Sequence, residues 1–533
     1  MKITFIGAAH EVTGSLHYVE TNDTKLIVDC GMEQGTNVYE NAPLPVKYSD
    51  LDYLILTHAH IDHAGMIPYA YNQGFRGTVL TTSASLELDR IMLLDSASIQ
   101  EKEASADGKK KKRAGENADK PVYTMEDATA CMKLFRAVPY GEITELSDTV
   151  SLRFTDAGHL LGSACAEVWL KEGKKKKKVV FSGDIGNHDK PLIRDPQYIS
   201  EADTIIMEST YGDKYHEQSS DHIGDVCRIV QETLDRGGNI IFPAFAVGRT
   251  QELLFLFRRI KEGHLIKGHD DFPVYVDSPL AVEATKVFSA DHRECYDEET
   301  RSLVESGINP ILFDDLVLSV STEESKAINE DPIPKVIIAA AGMCNAGRIK
   351  YHLKYNLWRP ESTVVFAGYQ AIGTLGRQLQ DGAESVKIFG EKIVVKAHIE
   401  TLPDMSSHAD ADGLLEWLGA YEKTPAKVIL VHGDDDAMAA LKEKIEERFG
   451  YSVECPYSGS VYDVARAKFE YTAKPVYIEK KQAISERNNS HREGLDASLE
   501  ALAKLVSQQK QGANADMDAL AGDILKLIEK HKF

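Results

Sequence analysis

Short apolar runs separated by polar turns dominate the chain, and their lengths and spacing predict an α/β fold. Segments 2–6, 15–20 and 24–29 each have the length and the β-branched content of a strand. From about residue 213 to 391 similar runs alternate with helical patterns, at 239–242, 273–276, 335–340 and 363–366. Strands that alternate with helices at this spacing predict parallel βα units. We therefore expect a sheet of mainly parallel strands in this part of the chain.

The last part of the chain has a helical pattern. After a polar, linker-like stretch at 479–493, apolar residues recur at helical spacing in two sets: Leu495, Leu499, Leu502 and Val506, then Met517, Leu520, Ile524 and Leu527. A helical hairpin packed on the body is the simpler interpretation, and a homodimer contact is the alternative. Because 533 residues exceed a single ordinary core, we expect two domains plus this extension.

The densest polar cluster directly follows one short apolar run. Residues 53–56 predict a buried strand, and His58, His60, Asp62 and His63 come immediately after it. Imidazole and carboxylate groups are the ligands that suit zinc and similar borderline ions. On so short a turn, these four groups can point at two neighbouring ions. A loop that is merely rich in histidine is the alternative, but it has no need of three imidazoles so close together.

The spacing His58-x-His60-x-Asp62-His63 resembles the signature of the metallo-β-lactamase superfamily. In that superfamily the motif supplies ligands to a two-metal site on the edge of an αββα sandwich. The remaining ligands follow later strands, so the resemblance requires that they appear in order along the chain.

Two further candidate ligands do appear in that order. His159 follows a predicted strand at 150–156, and Asp184 follows one at 179–183. The resemblance implies that His159 is a ligand of the first ion and that Asp184 bridges both. Asp29, which ends the third strand, matches an aspartate of the superfamily that supports the metal-binding loop without binding the ions itself. On its own, an aspartate at this place would more often cap a turn.

Three later motifs narrow the resemblance to the β-CASP nucleases, which include the cleavage-and-polyadenylation endonuclease subunit and ribonuclease J. Glu208 in E-S-T-Y-G follows a predicted strand at 204–207, His408 in M-S-S-H-A-D precedes a helix, and His432 follows a strand at 428–431. They match the first, second and third β-CASP motifs. The phrases P-A-F-A-V-G-R-T-Q-E and G-Y-Q-A-I-G-T-L-G-R also resemble motifs of the β-CASP domain.

The resemblance, which covers about residues 1–470, implies an αββα metallo-β-lactamase sandwich interrupted by a β-CASP α/β domain. We expect the first part of the sandwich at 1–212, the inserted domain at 213–391, the second part at 392–470 and the helical extension at 471–533.

The resemblance also implies a site with two zinc ions. His58, His60, His159 and Asp184 would hold one ion, and Asp62, His63, Asp184 and His432 would hold the other. The catalytic residues would be Asp62, Glu208 and His408. Among these, His408, oriented and kept cationic by Glu208, would protonate the leaving group.

Glycine-rich junctions after the predicted strands of the inserted domain suggest a place for phosphate. They put backbone N–H groups and helix N-termini at the carboxyl edge of the sheet. Tight helix packing explains such glycines equally well. Residues at these junctions are candidates to bind RNA or phosphate: Arg249, Thr250, Arg348, Thr374 and Arg377.

The function that we expect is zinc-dependent hydrolysis of RNA, by an endonuclease that leaves 5′-phosphate and 3′-hydroxyl ends. Three alternatives stay open: a 5′–3′ exoribonuclease of the ribonuclease J kind, a small-molecule metallohydrolase and an inactive scaffold. An exonuclease would require a closed pocket for the 5′-phosphate in the cleft. A small-molecule hydrolase would not need the inserted domain, Glu208 or His408. An inactive scaffold should have lost metal ligands, and none is missing here. The histidine at 432 disfavours a DNA nuclease, since this position is usually apolar in the DNA-directed branch.

Composition restricts the partners and the compartment. The formal charge of −22 disfavours broad non-specific binding to nucleic acid, although a local site with two cations is compatible with it. We expect single-stranded RNA as the partner and no membrane, because no apolar run approaches the length that spans a bilayer. Seven scattered cysteines, never in C-x-x-C spacing, predict a cytoplasmic protein.

Two lysine-rich runs are candidates to contact RNA. Lys109–Arg113 is predicted to be an exposed loop after a helix at 84–101, and Lys174–Lys178 is predicted to lie at a hairpin turn. Charge runs in loops are usually just solvated, and we favour that interpretation here.

Overall fold

The computed structural model describes residues 1–35, 37–114, 120–216, 221–402 and 405–478, with the backbone alone at 106–114. Both predicted C-terminal helices lie outside these residues. The homodimer contact that we considered for them lies outside as well. Within the described ranges, no helix is long and apolar enough to cross a membrane.

The strands and helices alternate along the chain. The strands are β1 (Lys2–Gly7), β2 (Leu16–Glu20), β3 (Lys25–Val28), β4 (Tyr53–Ile55), β5 (Thr78–Thr81), β6 (Phe135–Ala137), β7 (Thr144–Glu145), β8 (Val150–Asp156), β9 (Ala164–Glu172), β10 (Lys175–Phe181), β11 (Thr204–Met207), β12 (Ile240–Pro243), β13 (Val274–Asp277), β14 (Leu316–Ser319), β15 (Val336–Ala339), β16 (Thr363–Phe366), β17 (Ser385–Ile388), β18 (Glu391–Val394), β19 (His398–Thr401), β20 (Lys427–Leu430), β21 (Val453–Glu454), β22 (Val461–Asp463) and β23 (Lys468–Tyr471). The α-helices are α1 (Ile61–Ala64), α2 (Ile67–Asn72), α3 (Ser83–Ala114), α4 (Met125–Cys131), α5 (His222–Asp235), α6 (Arg249–Glu262), α7 (Pro279–Phe288), α8 (Glu298–Glu305), α9 (Thr322–Glu330), α10 (Ile349–Asn356), α11 (Leu375–Gln380), α12 (Ala411–Gly419) and α13 (Asp435–Phe449), and Tyr48–Asp50 and Met132–Leu134 form 3₁₀ turns.

Two large sheets pack face to face. The first has the strand order β23-β22-β1-β2-β3-β4-β5-β6 and the second β21-β20-β11-β10-β9-β8-β7. Side chains such as Phe5 and Leu80 from the first sheet meet Phe154, Val168 and Phe181 from the second in one buried cluster. Alternate residues of a strand face opposite sides, so each sheet has a second apolar face that must also be covered.

Helices cover those outer faces. On the first sheet, Leu54 and Val79 pack with residues of α2, α3 and α4. On the second sheet, Val180 and Val428 pack with α12 and α13, where Trp417 is fully buried. This is the αββα sandwich that the sequence predicts.

A third sheet has the order β14-β13-β15-β12-β16-β19, and every neighbouring pair in it is parallel. Apolar clusters cover both of its faces, as a doubly wound α/β unit requires. The mainly parallel sheet predicted for the insertion is therefore confirmed. The strand at 398–401, which follows the predicted boundary at 391, belongs to this sheet, and β17 and β18 form a separate hairpin.

The structure contradicts the prediction for one lysine run and confirms it for the other. The loop predicted for Lys109–Arg113 is wrong, because the backbone of α3 stays helical to Ala114. Lysine, alanine and glutamate are good helix formers, and no proline interrupts the segment. The hairpin predicted at Lys174–Lys178 is present, but its turn is short. Lys175–Lys178 belong to β10, where Lys178 pairs with the buried carboxylate of Glu167 at 2.5 Å.

Candidate metal centre

The candidate site forms where several strands end at one edge of the sandwich. His159 follows β8, Asp184 follows β10, Glu208 follows β11 and His432 follows β20. The strands β10, β11 and β20 are parallel, and β8 runs in the same direction because β9 is antiparallel to both of its neighbours. Residues that follow these strands therefore meet at one edge, close to the His58–His63 segment, which spans the loop after β4 and the short helix α1.

The first donor set consists of His58, His60, His159 and Asp184. Nδ1 of His60 lies 3.1 Å from Nε2 of His58 and 3.2 Å from Nε2 of His159. Oδ2 of Asp184 lies 3.3 Å from Nε2 of His58 and 3.5 Å from Nε2 of His159. Four donor atoms therefore converge on one small volume, as a tetrahedral zinc site requires.

The second donor set consists of Asp62, His63 and His432, with Asp184 completing it. Nε2 of His63 lies 3.1 Å from Nε2 of His432. Oδ1 of Asp184 lies 3.2 Å from Nε2 of His63, and Oδ2 of Asp62 lies 3.6 Å from Nε2 of His432. Asp184 thus presents one oxygen to each donor set.

The surroundings of Asp184 suit a cation. Its Oδ1 is buried and faces Nε2 of His63 at 3.2 Å and Nε2 of His432 at 3.7 Å, and a cation between these atoms would satisfy their lone pairs. Gly183, the residue directly before Asp184, has φ +56°. A Cβ added to Gly183 would lie 2.8 Å from Cβ of Thr57, so only glycine allows the two segments to approach this closely. The strand end therefore brings the carboxylate close to the histidine loop.

The outer nitrogens of four imidazoles have partners that leave each Nε2 free to bind a cation. Nδ1 of His63 lies 2.8 Å from Asp29, and Nδ1 of His159 lies 3.2 Å from the Ser407 carbonyl. Both partners only accept hydrogen bonds, so each Nδ1 carries a proton and Nε2 is the nitrogen left to bind a cation. Asp29 also accepts from Thr57, and its role in supporting the metal loop stays a prediction.

Two threonines that sequence reasoning missed accept hydrogen bonds from Nδ1 of His58 and of His432. Oγ1 of Thr57 donates to Asp29 at 3.0 Å, so it can only accept from Nδ1 of His58 at 3.1 Å. Oγ1 of Thr210 donates to the His432 carbonyl at 3.2 Å and accepts from Nδ1 of His432 at 3.1 Å. Each threonine adjoins a motif, but only the fold shows which nitrogen it meets.

Burial sets the charge of the first donor set. It lowers the pKa of His58 and of His159, and it lowers the pKa of His60 to about 3. These imidazoles are therefore neutral and have a lone pair for a cation. Burial also opposes charge on His63, but Asp184 and Asp29 overcome it and raise the pKa of His63, so a cation at this position would have to displace the proton from Nε2.

Glu208 and His408 form a pair beside the donor sets. Nδ1 of His408 lies 3.2 Å from both carboxylate oxygens of the fully buried Glu208, which also accepts from the backbone N–H of Ile185. Nε2 of His408 lies 3.9 Å from Oδ2 of Asp184. Burial by itself lowers the pKa of His408, but Glu208 and Asp184 raise it to about 9. The pair therefore favours a protonated imidazole at the margin of the donor cluster.

Comparison with known proteins identifies the family. Models of three domains match in sequence order: the metallo-β-lactamase superfamily at 11–73, the β-CASP domain at 250–379 and the Zn-dependent metallo-hydrolase RNA specificity domain at 392–456. The chain is 36% identical to ribonuclease TTHA0252 of Thermus thermophilus, over 83% of this chain and 95% of that one.

The chain belongs to the β-CASP ribonuclease family of the metallo-β-lactamase superfamily. It is also 31% identical to the transcription termination factor FttA of Methanocaldococcus jannaschii, over 84% of this chain and 69% of that one. With FttA of Methanosarcina mazei the identity is 30%, over 84% and 69% of the two chains.

Within the β-CASP unit, the candidate RNA-binding arginines have partners inside the protein. Arg249 pairs with Glu252, Arg348 donates to the buried Asp277 at 2.6 Å, and Arg377 donates to Asp381 at 2.8 Å. Their polar neighbours Thr250 and Thr374 donate to backbone carbonyls at 2.7 Å. Their role in binding RNA stays a prediction, and each arginine would have to share its guanidinium or exchange its partner.

Proposed function

We propose that this β-CASP protein is an endoribonuclease that binds two zinc ions, cuts single-stranded RNA, and leaves 5′-phosphate and 3′-hydroxyl ends. The observation that carries the proposal is the position of Asp184. One carboxylate oxygen faces each donor set, and the Glu208–His408 pair lies beside the same residue. Relatives named as a ribonuclease and as transcription termination factors support RNA as the substrate.

The donor side chains hold the cations and keep them close together. Two zinc ions, when bound, would neutralise the charge of the phosphate and lower the pKa of the attacking water. His58, His60 and His159 supply neutral nitrogens to one position, and Asp62, His63 and His432 supply the other. The carboxylate of Asp62 is 21% exposed, so it can also face the reacting phosphate. We assign Asp62 both to holding the ion and to catalysis.

His408 protonates the departing 3′-oxygen. Its Nδ1 faces Glu208, which leaves Nε2 as the nitrogen that can give a proton to the substrate. The carboxylate of Glu208 keeps the imidazole oriented and favours its cationic form. Asp184, Glu208 and His408 also lie close enough to hold a cation themselves. The metal content of a His408→Ala variant distinguishes such a ligand from an acid, because only a ligand would take an ion with it.

One assay tests the mode of cleavage. We expect the purified protein to cut an internally labelled RNA whose 5′ end is blocked, and to release internal fragments with 5′-phosphate and 3′-hydroxyl ends. Product that accumulates only from RNA with a free 5′-phosphate would identify a 5′–3′ exonuclease instead. A 3′-phosphate on the products would contradict the assignment of His408, because the leaving atom would then be the 5′-oxygen.

We also propose that the protein works in the cytoplasm. All seven cysteines are free thiols, and five of them are buried. Burial raises the pKa of Cys165 and Cys344, so these thiols are inert and behave as small apolar side chains. A chain that keeps its thiols reduced suits a reducing compartment. Fractionation of cells that express a tagged chain would test this assignment.

A further inference from the structure

Resting on the proposed function, we propose that Tyr369 stacks on an unpaired base on the 5′ side of the scissile phosphate and that Lys214 binds a phosphate next to it. Tyr211, Lys214 and Tyr369 form a row that begins at the acid. The Tyr211 ring lies edge-on to the His408 ring, 5.9 Å between centroids. Nζ of Lys214 lies 5.6 Å from the centre of the Tyr211 ring and 5.8 Å from that of Tyr369.

The row connects two parts of the fold. Tyr211 and Lys214 follow β11 of the sandwich, and Tyr369 follows β16 of the parallel sheet. Its outer end is an exposed aromatic ring, since Tyr369 is 50% exposed. An exposed aromatic ring is a stacking surface for any unpaired base, whereas a paired base in a duplex already stacks on its neighbours.

Buried hydrogen bonds anchor the loop that carries Tyr369. Gln370 is buried and its Nε2 donates to the Gly342 carbonyl at 3.0 Å. Thr374 donates to the Ala371 carbonyl at 2.7 Å and caps α11 through the N–H of Arg377. Gly376 lies so close to Gln370 that a Cβ there would be 1.7 Å from Oε1. A loop anchored in this way loses little backbone freedom when a base stacks on the ring that it carries.

Lys214 supplies a charge at the right place. Its backbone carbonyl accepts from the N–H of Ala411 at 3.0 Å, and its side chain is 46% exposed. The nearest described carboxylate oxygen, on Asp213, is 3.8 Å from Nζ, and such an exposed pair is weak. The ammonium group can therefore bind a phosphate while it remains between two rings.

The position of the acid determines the polarity of the strand. His408 gives its proton to the 3′-oxygen, and that oxygen belongs to the nucleotide on the 5′ side of the cut. Because the row starts at His408 and leads away from it, the nucleotides along the row are those upstream of the scissile bond.

The test combines a variant with a missing base. We would measure the affinity of wild type, Tyr369→Ala and Tyr369→Phe for one single-stranded RNA with a mapped cut site, and for versions with one abasic nucleotide at each position in turn. Loss of one stacked base weakens binding by about 5- to 150-fold. We expect Tyr369→Ala to bind that much more weakly and Tyr369→Phe to bind like wild type.

The abasic series then distinguishes stacking from a structural effect. In wild type and Tyr369→Phe, one abasic position upstream of the cut should weaken binding, and in Tyr369→Ala the same change should have no further effect. Trp358→Ala is the matched control, because Trp358 is 53% exposed and lies in the loop before β16, at the opposite edge of the same sheet. It should keep the wild-type profile. Lys214→Met should reduce the salt dependence of binding by about 0.7 in log–log slope, the contribution of one phosphate.

The proposal would be overturned if Tyr369→Ala bound RNA as tightly as wild type and showed the same effect of each abasic position. If the abasic position that depends on Tyr369 lay downstream of the cut, the proposed direction of the RNA strand would be wrong. Cleavage of the same RNA is measured in parallel. If wild type cuts the RNA while Tyr369→Ala binds normally, only this inference fails. If wild type shows the Tyr369-dependent position but cuts no RNA, the proposed function fails and the stacking site remains.

Discussion

The first donor set and the Glu208–His408 pair lie side by side, yet their imidazoles have opposite charge preferences. His58 and His159 are at most 1% exposed, whereas His408 is 19% exposed. The pKa values of His58 and His159 are lowered by burial, and the pKa of His408 is raised to about 9 because Glu208 and Asp184 overcome burial. A neutral imidazole binds metal, and a cationic one delivers a proton.

The difference follows from what faces each ring. A threonine hydroxyl and a backbone carbonyl face Nδ1 of His58 and His159, and a buried carboxylate faces Nδ1 of His408. Neutral partners select a tautomer without favouring an added proton, whereas a carboxylate also stabilises the cation. We therefore expect metal binding and proton transfer to be separable by mutation.

The largest effect should come from Asp184→Asn. The change removes the charge that faces both donor sets while keeping the shape of the side chain. We expect metal analysis to fall from about two ions per chain to fewer than one, and cleavage to fall to the level of wild type stripped with a chelator. Two ions retained in the variant would contradict the bridging role.

His408→Ala should separate the two functions. Loss of a general acid lowers the rate by about 10²- to 10⁴-fold, and we expect this fall in single-turnover cleavage with unchanged metal content and RNA affinity. A lost ion would identify His408 as a ligand.

The same residue predicts a pH dependence. His408 is protonated below its raised pKa and loses the proton as pH rises through it, so wild-type activity should decline on the alkaline side. A cation near Asp184 would offset that carboxylate and move this decline below pH 9. The rate of His408→Ala should lack the decline that is due to this proton, and an identical alkaline decline in both proteins would contradict the assignment.

Asp29→Asn should have a smaller effect, confined to the metal. Asp29 has φ +59°, a conformation that asparagine tolerates, so the backbone should be kept. The variant loses the negative charge that faces His63, and such changes cost about 10- to 100-fold in metal affinity. Titration with zinc should show the loss, and excess zinc should restore cleavage. An unrestored rate would mean that Asp29 acts by another route.

Glu208→Gln should have the mildest effect of the series. Glutamine can still contact His408 but does not stabilise the imidazolium, so the rate should fall less than in His408→Ala. Because both residues serve one proton transfer, the double variant should be scarcely slower than His408→Ala alone. A double variant that is slower by the product of the two single effects would show that the residues act independently.

Much of this site could be predicted because its residues follow short, unambiguous strands. His159, Asp184, Glu208 and His432 each come directly after an apolar run that the structure shows as a strand. Parallel strands bring their carboxyl ends to one edge, so local pattern predicts where these residues lie, whereas their assignment to one metal site rests on the family resemblance.

Contacts between distant segments could not be predicted in the same way. Thr210 meets His432 and the Ser407 carbonyl meets His159 only after the sheets are assembled. The arginine of the G-R-T phrase suggests phosphate binding, yet Arg249 pairs with Glu252 one helical turn away. The helix predicted at 84–101 is too short because a run of like charges suggests a loop, whereas helix propensity keeps α3 helical to Ala114.

The separation of metal binding from proton transfer is tested most directly with an RNA whose bridging 3′-oxygen at the cut site is replaced by sulfur. A thiolate leaves without a proton, so wild type and His408→Ala should cleave this RNA at nearly equal rates, while on the normal RNA they differ by about 10²- to 10⁴-fold. Asp184→Asn should cleave neither substrate. If the sulfur substrate does not rescue His408→Ala, His408 is not the acid, and the division between metal-binding and proton-donating histidines is wrong.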